Sequence, residues 1–405
     1  MNTQTVTTTF SGQKTRDYYI DNIKGIFIYL VVFGHLLDYL EEAGTPFATG
    51  GRTFIYLFHM PGFIFMSGYL AKNFSGKRFK GEKLFTYAWL YLLFKDAIEL
   101  VHFIFGLPYF QTGVHNLEIF LIGCSFCVVI ALLSWAFHRF TTFRFAFMAF
   151  VIGFSLVKTN IFYIGGAPWY LLALILWHIF IYLTQHMNPK YVMMGAIIMA
   201  MVLDYQDEIG KFLSLARTIN FLPFFLLGFY MTKEQFYKIV NNKVLKKILP
   251  IIFFATMIIV FTFGKAVRKG FGVFIFGVSS YEKLSGLAYR FGPLLSLLWM
   301  IIASLLIFAV FMMTPRKKSF LSKIGRNTIS IYVLHRLFKD ILYYAGLYDV
   351  LSANQYIAVG QLAVISLILI LIFGTTYCAK MITNLSTIKA HWFYLDGDLY
   401  FDAYK

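Results

Sequence analysis

Apolar stretches of about 17 to 25 residues, each long enough to cross a bilayer, recur along this whole chain with short polar segments between them. A stretch of that length spans hydrocarbon as a helix, because a helix satisfies its own backbone hydrogen bonds. Twelve such stretches are readable, at residues 23–41, 53–72, 84–105, 117–137, 145–158, 168–185, 191–204, 218–232, 248–264, 291–314, 327–345 and 356–380. The fifth, seventh and eighth are short. The expected fold is therefore an all-α polytopic bundle of transmembrane helices, with about 10–12 spans.

Composition agrees. Of 405 residues 59% are hydrophobic and 14% are charged, against roughly 25% charged in a soluble domain. So much apolar surface does not fit inside one water-soluble core of this length, and a soluble globular enzyme is excluded. Lys and Arg number 36 against 19 Asp and Glu, a net charge of +17. In a membrane chain that excess marks cytoplasmic loops beside anionic lipid rather than nucleic-acid binding. Three cysteines are too few for a disulfide framework. Cys124 and Cys127 form a C-x-x-C inside an apolar run without further ligands at matching spacing, so they read as packing residues and no metal is expected.

Basic residues also set orientation, because they stay on the cytoplasmic side of short loops. With the N-terminus inside, 24 of the 36 Lys and Arg fall on inner segments, 9 on outer segments and 3 within spans. Both termini therefore read as cytoplasmic in a multi-pass protein of the plasma membrane. Residues 1–22 form an N-terminal tail, 23–383 the membrane domain and 384–405 a C-terminal tail. The N-terminal tail lacks the basic n-region and cleavage site of a signal peptide, so the first span is expected to be retained. The longest connections are 232–247 and 265–290, and the latter is an outer loop rich in basic residues.

Ionisable residues lie inside these spans, where each costs at least ~2.5 kcal/mol and so points to function. The first span holds His35 and Asp38, the second His59, the third Lys95, Asp96, Glu99 and His102, and the eleventh His335, Arg336, Lys339 and Asp340. His35 lies eleven residues beyond Lys24, about 16 Å along a helix, and the other spans place their groups at a comparable depth. The expectation is one shared polar cavity open to the outside. Histidine takes a proton from a hydroxyl near neutral pH, and a carboxylate such as Asp38 or Glu99 orients its tautomer. On the inner side Lys77, Arg78, Lys80 and Lys83 cluster between the second and third spans, where they suit the phosphates of a cytosolic donor.

The order of several segments resembles the integral-membrane acyltransferase-3 family, in the branch similar to fucose 4-O-acetylases. RDYYIDNIKGIFIYLVVFGH (16–35) places Asp21, Lys24, Gly25 and His35 on the family's opening, and FHMPGFIFMSGYL (58–70) is followed by Lys80 and Lys83 at the spacing of the family's paired arginines. PWYLLAL from Pro168, RTINFLPFFLLGF from Arg217 and IGRNTISIYVLH (324–335) match later segments. The resemblance implies transfer of an acyl group, commonly acetyl from cytosolic acetyl-CoA, to a sugar hydroxyl outside or at the membrane surface. It implies His35 as the catalytic histidine, Lys24 as its cytoplasmic-side partner, and Lys80 and Lys83 as aids to CoA binding. The sequence departs from the family in having Lys where Arg is frequent at these three positions, which removes the planar bidentate contact.

Together the two readings make the chain an O-acyltransferase for polysaccharide or lipid-linked sugar O-acetylation. His35, Lys24, Asp38 and Glu99 are the expected catalytic group, and Lys77, Arg78, Lys80 and Lys83 the expected donor clamp. His59, His102, Trp169, Arg217 and His335 are the expected acceptor side. The bilayer and a surface glycan or lipid-linked sugar are the expected partners. The competing class is a transporter or flippase of a lipid-linked sugar, whose mark would be two related halves with equivalent broken helices. No such repeat is visible. A catalytically silent assembly or sensing subunit is the third class, against which an intact His35 argues.

Overall fold

A computed structural model describes residues 16–74, 81–105, 147–153, 166–205, 212–277, 280–284 and 286–387, together with Ser125, Val129, Leu132 and Ser155. Most of the fourth predicted span, part of the fifth, most of both tails, Lys77, Arg78, Lys80, Cys124 and Cys127 lie outside the described residues. Among the described residues the regular structure is helical. The helices are α1 (Tyr18–Leu36), α2 (Asp38–Glu42), α3 (Pro46–Leu70), α4 (Gly81–Ile104), α5 (Trp169–Leu183), α6 (Pro189–Val202), α7 (Leu215–Tyr230), α8 (Lys233–Val240), α9 (Leu245–Phe276), α10 (Leu287–Arg290), α11 (Gly292–Met313), α12 (Phe320–Arg326), α13 (Thr328–Tyr344), α14 (Gln355–Phe373) and α15 (Thr376–Ser386).

Each of the ten predicted spans that fall wholly on described residues is occupied by one of these helices. Five are long and apolar enough to cross a membrane unaided: α1 continued through α2, α3, α9, α11 and α14. A sixth candidate is α7 joined to α8, bent by 99° at the break. Large apolar side chains such as Ile251, Phe254 and Ile258 on α9, Leu294 and Ile301 on α11, and Ile368 and Ile372 on α14 point out of the bundle. An apolar exterior of this extent suits lipid, not water, and the protein is a multi-pass membrane protein.

Two of the helices differ from the expected spans in a way that matters below. The sequence places Arg52, Lys265, Arg268 and Lys269 in outer connections. Instead α3 begins at Pro46 and α9 runs to Phe276, so all four lie on helices. Arg52 and Arg268 are accommodated because both meet the carboxylate of Glu41. The 265–290 connection is therefore helical over its first half, through Phe276, and α9 has a break in helical geometry just before it, at Phe263 (φ −114°, ψ 27°).

The bundle is drawn together around α1 and α3, which are mostly buried. Glycines let helices of the bundle touch backbone to backbone, the usual solution where no hydrophobic force drives helix from lipid. Gly68 of α3 lies against the Phe225 carbonyl of α7, and Gly228 of α7 lies against the Phe65 carbonyl of α3. In the same reciprocal manner Gly25 of α1 meets Leu321 of α12, and Gly325 of α12 meets Asp21. Buried polar groups fix the register of α1. Asn22 Nδ2 donates to the carbonyls of Pro315 (2.7 Å) and Lys317 (2.8 Å), and the Tyr19 hydroxyl donates to that of Phe311 (2.6 Å). At this end of the bundle stand Lys72, Lys83, Lys238, Arg316, Lys317, Lys318, Lys323 and Arg326, and it is called the basic end below.

Gly68→Leu places a side chain into backbone of α7 that has no room to yield, and overpacking costs about 1–3 kcal/mol or more. The expected result is loss of the folded protein or a large fall in melting temperature in detergent. Gly360→Leu, at a lipid-facing position with open space around it, leaves the melting temperature unchanged within error.

Candidate active site

His35 occupies the last turn of α1, where its Nδ1 faces two groups. The Asp38 carboxylate lies 3.5 Å away and the Tyr56 hydroxyl 3.3 Å away. The chain turn between α1 and α2 brings Asp38 back toward the ring three residues earlier. Both partners sit on Nδ1, which leaves Nε2 as the nitrogen turned to any reactant.

Asp38 is buried and shared among three helices. Arg52 Nη2 of α3 lies 2.6 Å from its Oδ1, and Lys339 of α13 pairs with its Oδ2. The network continues outward. Arg52 also pairs with Glu41, and Arg268 Nε of α9 donates to the second Glu41 oxygen at 2.9 Å. On the other flank Arg336 pairs with Asp340, and His102 Nε2 of α4 stands 3.1 Å from the same carboxylate. Each carboxylate thus faces at least one cation, the condition under which charge is tolerated away from water.

Two more histidines flank His35. The His335 ring centre is 5.4 Å from that of His35, and the Tyr56 ring joins His35 to His59, with centres 6.2 and 4.5 Å away. His59 and His335 are only 1% and 2% exposed. In each, Nδ1 lies 2.9 Å from the carbonyl four residues earlier, Ile55 and Ile331. A carbonyl only accepts, so both Nδ1 atoms carry the proton and both Nε2 atoms are lone-pair acceptors. His335 Nε2 is buried and has no hydrogen-bond partner among the described residues.

The expected convergence of ionisable groups therefore holds for His35, Asp38, His59, His335 and Lys339. His102 reaches the cluster only through Asp340. Glu99 is placed elsewhere, beside Lys95 and Asp96 on α4, and Asp96 accepts from Ser155 (2.8 and 2.9 Å). Trp169 is enclosed. Phe221 stacks on it at 5.5 Å, and the Arg217 guanidinium lies 5.2 Å over its ring. Its ring packs against these two side chains of α7. Missed by sequence reasoning were Arg52, Tyr56, Glu41 and Arg268. The signal for two of them was present, since Arg52, Tyr56 and His59 at i, i+4 and i+7 share one helix face.

A cavity of about 210 Å³ opens at the basic end, lined by Lys24, Lys83, Ser67, Tyr170, Tyr332 and His178 among others. Lys24 is held there by Asp21 (3.6 Å), which Arg16 also grips at 2.6 Å. Tyr332 forms the inner wall, and its ring stands 6.1 Å from that of His335. The cavity thus runs from two lysines to a tyrosine that neighbours His335.

The sequence profile of an acyltransferase domain matches residues 17–383, which take in every element of this site. The chain belongs to the acyltransferase-3 family. It is similar to nodulation protein NolL of Mesorhizobium japonicum, 46% identical over 65 residues that make up 16% of this chain and 17% of that protein. NolL of Sinorhizobium fredii is likewise 46% identical over 65 residues, 18% of its length. The chain thus covers under a fifth of either curated relative. No solved structure matches.

Removing one charge from the Asp38 network is expected to destabilise the fold, because a buried ion left without its partner costs about 3–5 kcal/mol. Asp38→Ala should therefore lower the melting temperature sharply. Asp38→Ala combined with Lys339→Met should recover much of that loss, and a double-mutant cycle with the two single variants on thermal unfolding in detergent checks the coupling.

Proposed function

We propose that this protein is a membrane O-acyltransferase that moves an acetyl group from cytosolic acetyl-CoA to a hydroxyl of an extracytoplasmic or lipid-linked carbohydrate. The observation that carries the proposal is the setting of His35. Its Nδ1 is engaged by Asp38 and Tyr56, its Nε2 is left for reaction, and it stands between the cavity of the basic end and the arginine-rich end opposite.

The donor side fits an acyl-CoA in charge and chemistry. Lys24 and Lys83 at the cavity suit phosphates, and the hydroxyls of Ser67 and Tyr170 suit the amide-bearing arm that follows. With the basic end in the cytoplasm, as the distribution of Lys and Arg favours, the thioester enters from that side. The acceptor is a carbohydrate, as the resemblance to fucose 4-O-acetylases implies, and it approaches from the outer face of the plasma membrane.

In the proposed step His35 Nε2 takes the proton of the acceptor hydroxyl while that oxygen bonds to the thioester carbon. The carbon–sulfur bond then breaks, the electron pair leaves on the CoA sulfur, and the proton passes from His35 to that thiolate. An ester and free CoA result. Asp38 is the positioning residue, because its carboxylate holds the imidazole and favours the imidazolium that forms midway. Arg52 and Lys339 keep that carboxylate in place from either side.

General-base catalysis of this kind contributes about 10²–10⁴-fold, so His35→Ala should reduce transfer at least 100-fold without loss of membrane protein. The measurement is ester-linked acetate on surface glycans from cells expressing equal amounts of each form. Equal acetate in both would remove His35 from the mechanism, and altered sugar export without acetate would identify a transporter instead. Lys24→Ala with Lys83→Ala should weaken acetyl-CoA binding to the purified protein about tenfold or more, and unchanged binding would defeat the donor assignment.

A further inference from the structure

Among the described residues, Arg217 is the cation of this site that no carboxylate answers. Arg52, Arg268, Arg336 and Lys339 each pair with Asp38, Glu41 or Asp340. Arg217, from the first turn of α7, makes one hydrogen bond among the described residues, from Nε to the Phe276 carbonyl at 3.0 Å. Its Nη1 is buried and without a partner among the described residues. Among the described residues the ionisable neighbours that act on it are the phenols of Tyr56 and Tyr332. A guanidinium keeps its proton, and an uncompensated charge in an apolar bundle costs several kcal/mol.

The surroundings hold that charge in one orientation. Trp169 carries the guanidinium on its face at 5.2 Å. The Phe276 carbonyl that fixes Nε is aimed by the end of α9, where Gly277 adopts φ +57° and packs against the Arg217 and Phe221 side chains. One edge of the planar fork is thereby held by protein, and Nη1 is left for something else. The site adjoins the reacting histidine, since the Phe276 ring packs on Tyr56 (4.9 Å) and the Tyr56 hydroxyl touches His35.

We infer that Arg217 binds a negative substituent of the acceptor, a carboxylate or phosphate on the sugar whose hydroxyl is acylated, so that the acceptor is an anionic carbohydrate. This rests on the acyltransfer reading above and narrows its substrate class. Both anions match the fork of a guanidinium, which pairs with them through parallel N–H···O contacts. Anchored at Arg217, the sugar presents its neighbouring hydroxyl across Tyr56 to His35.

The test is binding to the full-length protein in detergent, with methyl β-glucuronide, glucose 6-phosphate, methyl β-glucoside and inorganic phosphate as probes and acetyl-CoA as a reference. One or both anionic sugars should bind at least tenfold more tightly than the neutral glucoside. Arg217→Gln should erase that preference, Arg217→Lys should keep part of it, and acetyl-CoA affinity should be unchanged in both. Gly277→Ala, which displaces the Phe276 carbonyl, is a second variant should the first not fold, and it should also weaken the preference. Equal binding of charged and neutral sugars by the wild type, or a preference that survives Arg217→Gln, overturns the inference. Inorganic phosphate bound as tightly as the sugars also overturns it, by showing a bare anion site. Failure of the acyltransfer reading is distinguishable, because it appears as absence of acetyl-CoA binding and transfer whatever the sugars do.

Discussion

A carboxylate inside a helix bundle must be neutralised, and Asp38 is the point where this structure meets that demand. Arg52 from α3 and Lys339 from α13 converge on it, and His35 from α1 leans against it. Two neighbouring helices and a third about 260 residues further along the chain are thereby set at one level. Each of these ions alone would be costly in lipid. As a connected set they are tolerated, and the set determines which face of each helix turns inward. The histidine tautomers follow from the same placement, since His59 and His335 spend Nδ1–H on their own helix backbones and His35 spends Nδ1 on Asp38 and Tyr56.

The reciprocal glycine contacts play a complementary part. Gly68 with Gly228 and Gly25 with Gly325 bring α3 to α7 and α1 to α12 at backbone distance. The first crossing seats α7 against the helix that carries Arg52, Tyr56 and His59, and so brings Arg217 toward the same chamber. The second anchors the end of α1 where Lys24 borders the cavity. Close packing at one end and ion pairing at the other thus hold α1 at both ends. His35 lies near the ion-paired end, and Lys24 lies about 16 Å from it along the helix.

Much of this was legible in the residues. Span positions follow from length and apolarity, and the helices α1, α3, α4, α5, α6, α7, α9, α11, α13 and α14 stand on the ten readable predictions. The cluster of His35, Asp38, His59, His335 and Lys339 follows from depth, because helical rise converts residue number into height. What depth does not supply is azimuth. Glu99 has a suitable height and faces Lys95 instead, whereas Arg52 and Arg268 were assigned to loops because charge was used to end a span. A charge paired across helices does not end a helix, and the pairing partner, Glu41, lies far from Arg268 in sequence.

The sequence by itself determined that this chain lives in a bilayer as helices, and it marked which residues are too costly there to be incidental. Those conclusions depend on local terms: transfer energy per residue, helix length and sidedness of charge. The tertiary structure decided which of the costly residues meet. It put Asp38 between two cations, packed Trp169 against Phe221 and Arg217, and, among the described residues, left the Arg217 guanidinium without a carboxylate partner. Pairing energies fall off within a few ångströms, so they are settled by how helices rotate and cross, and that is a property of the packed bundle rather than of any one span.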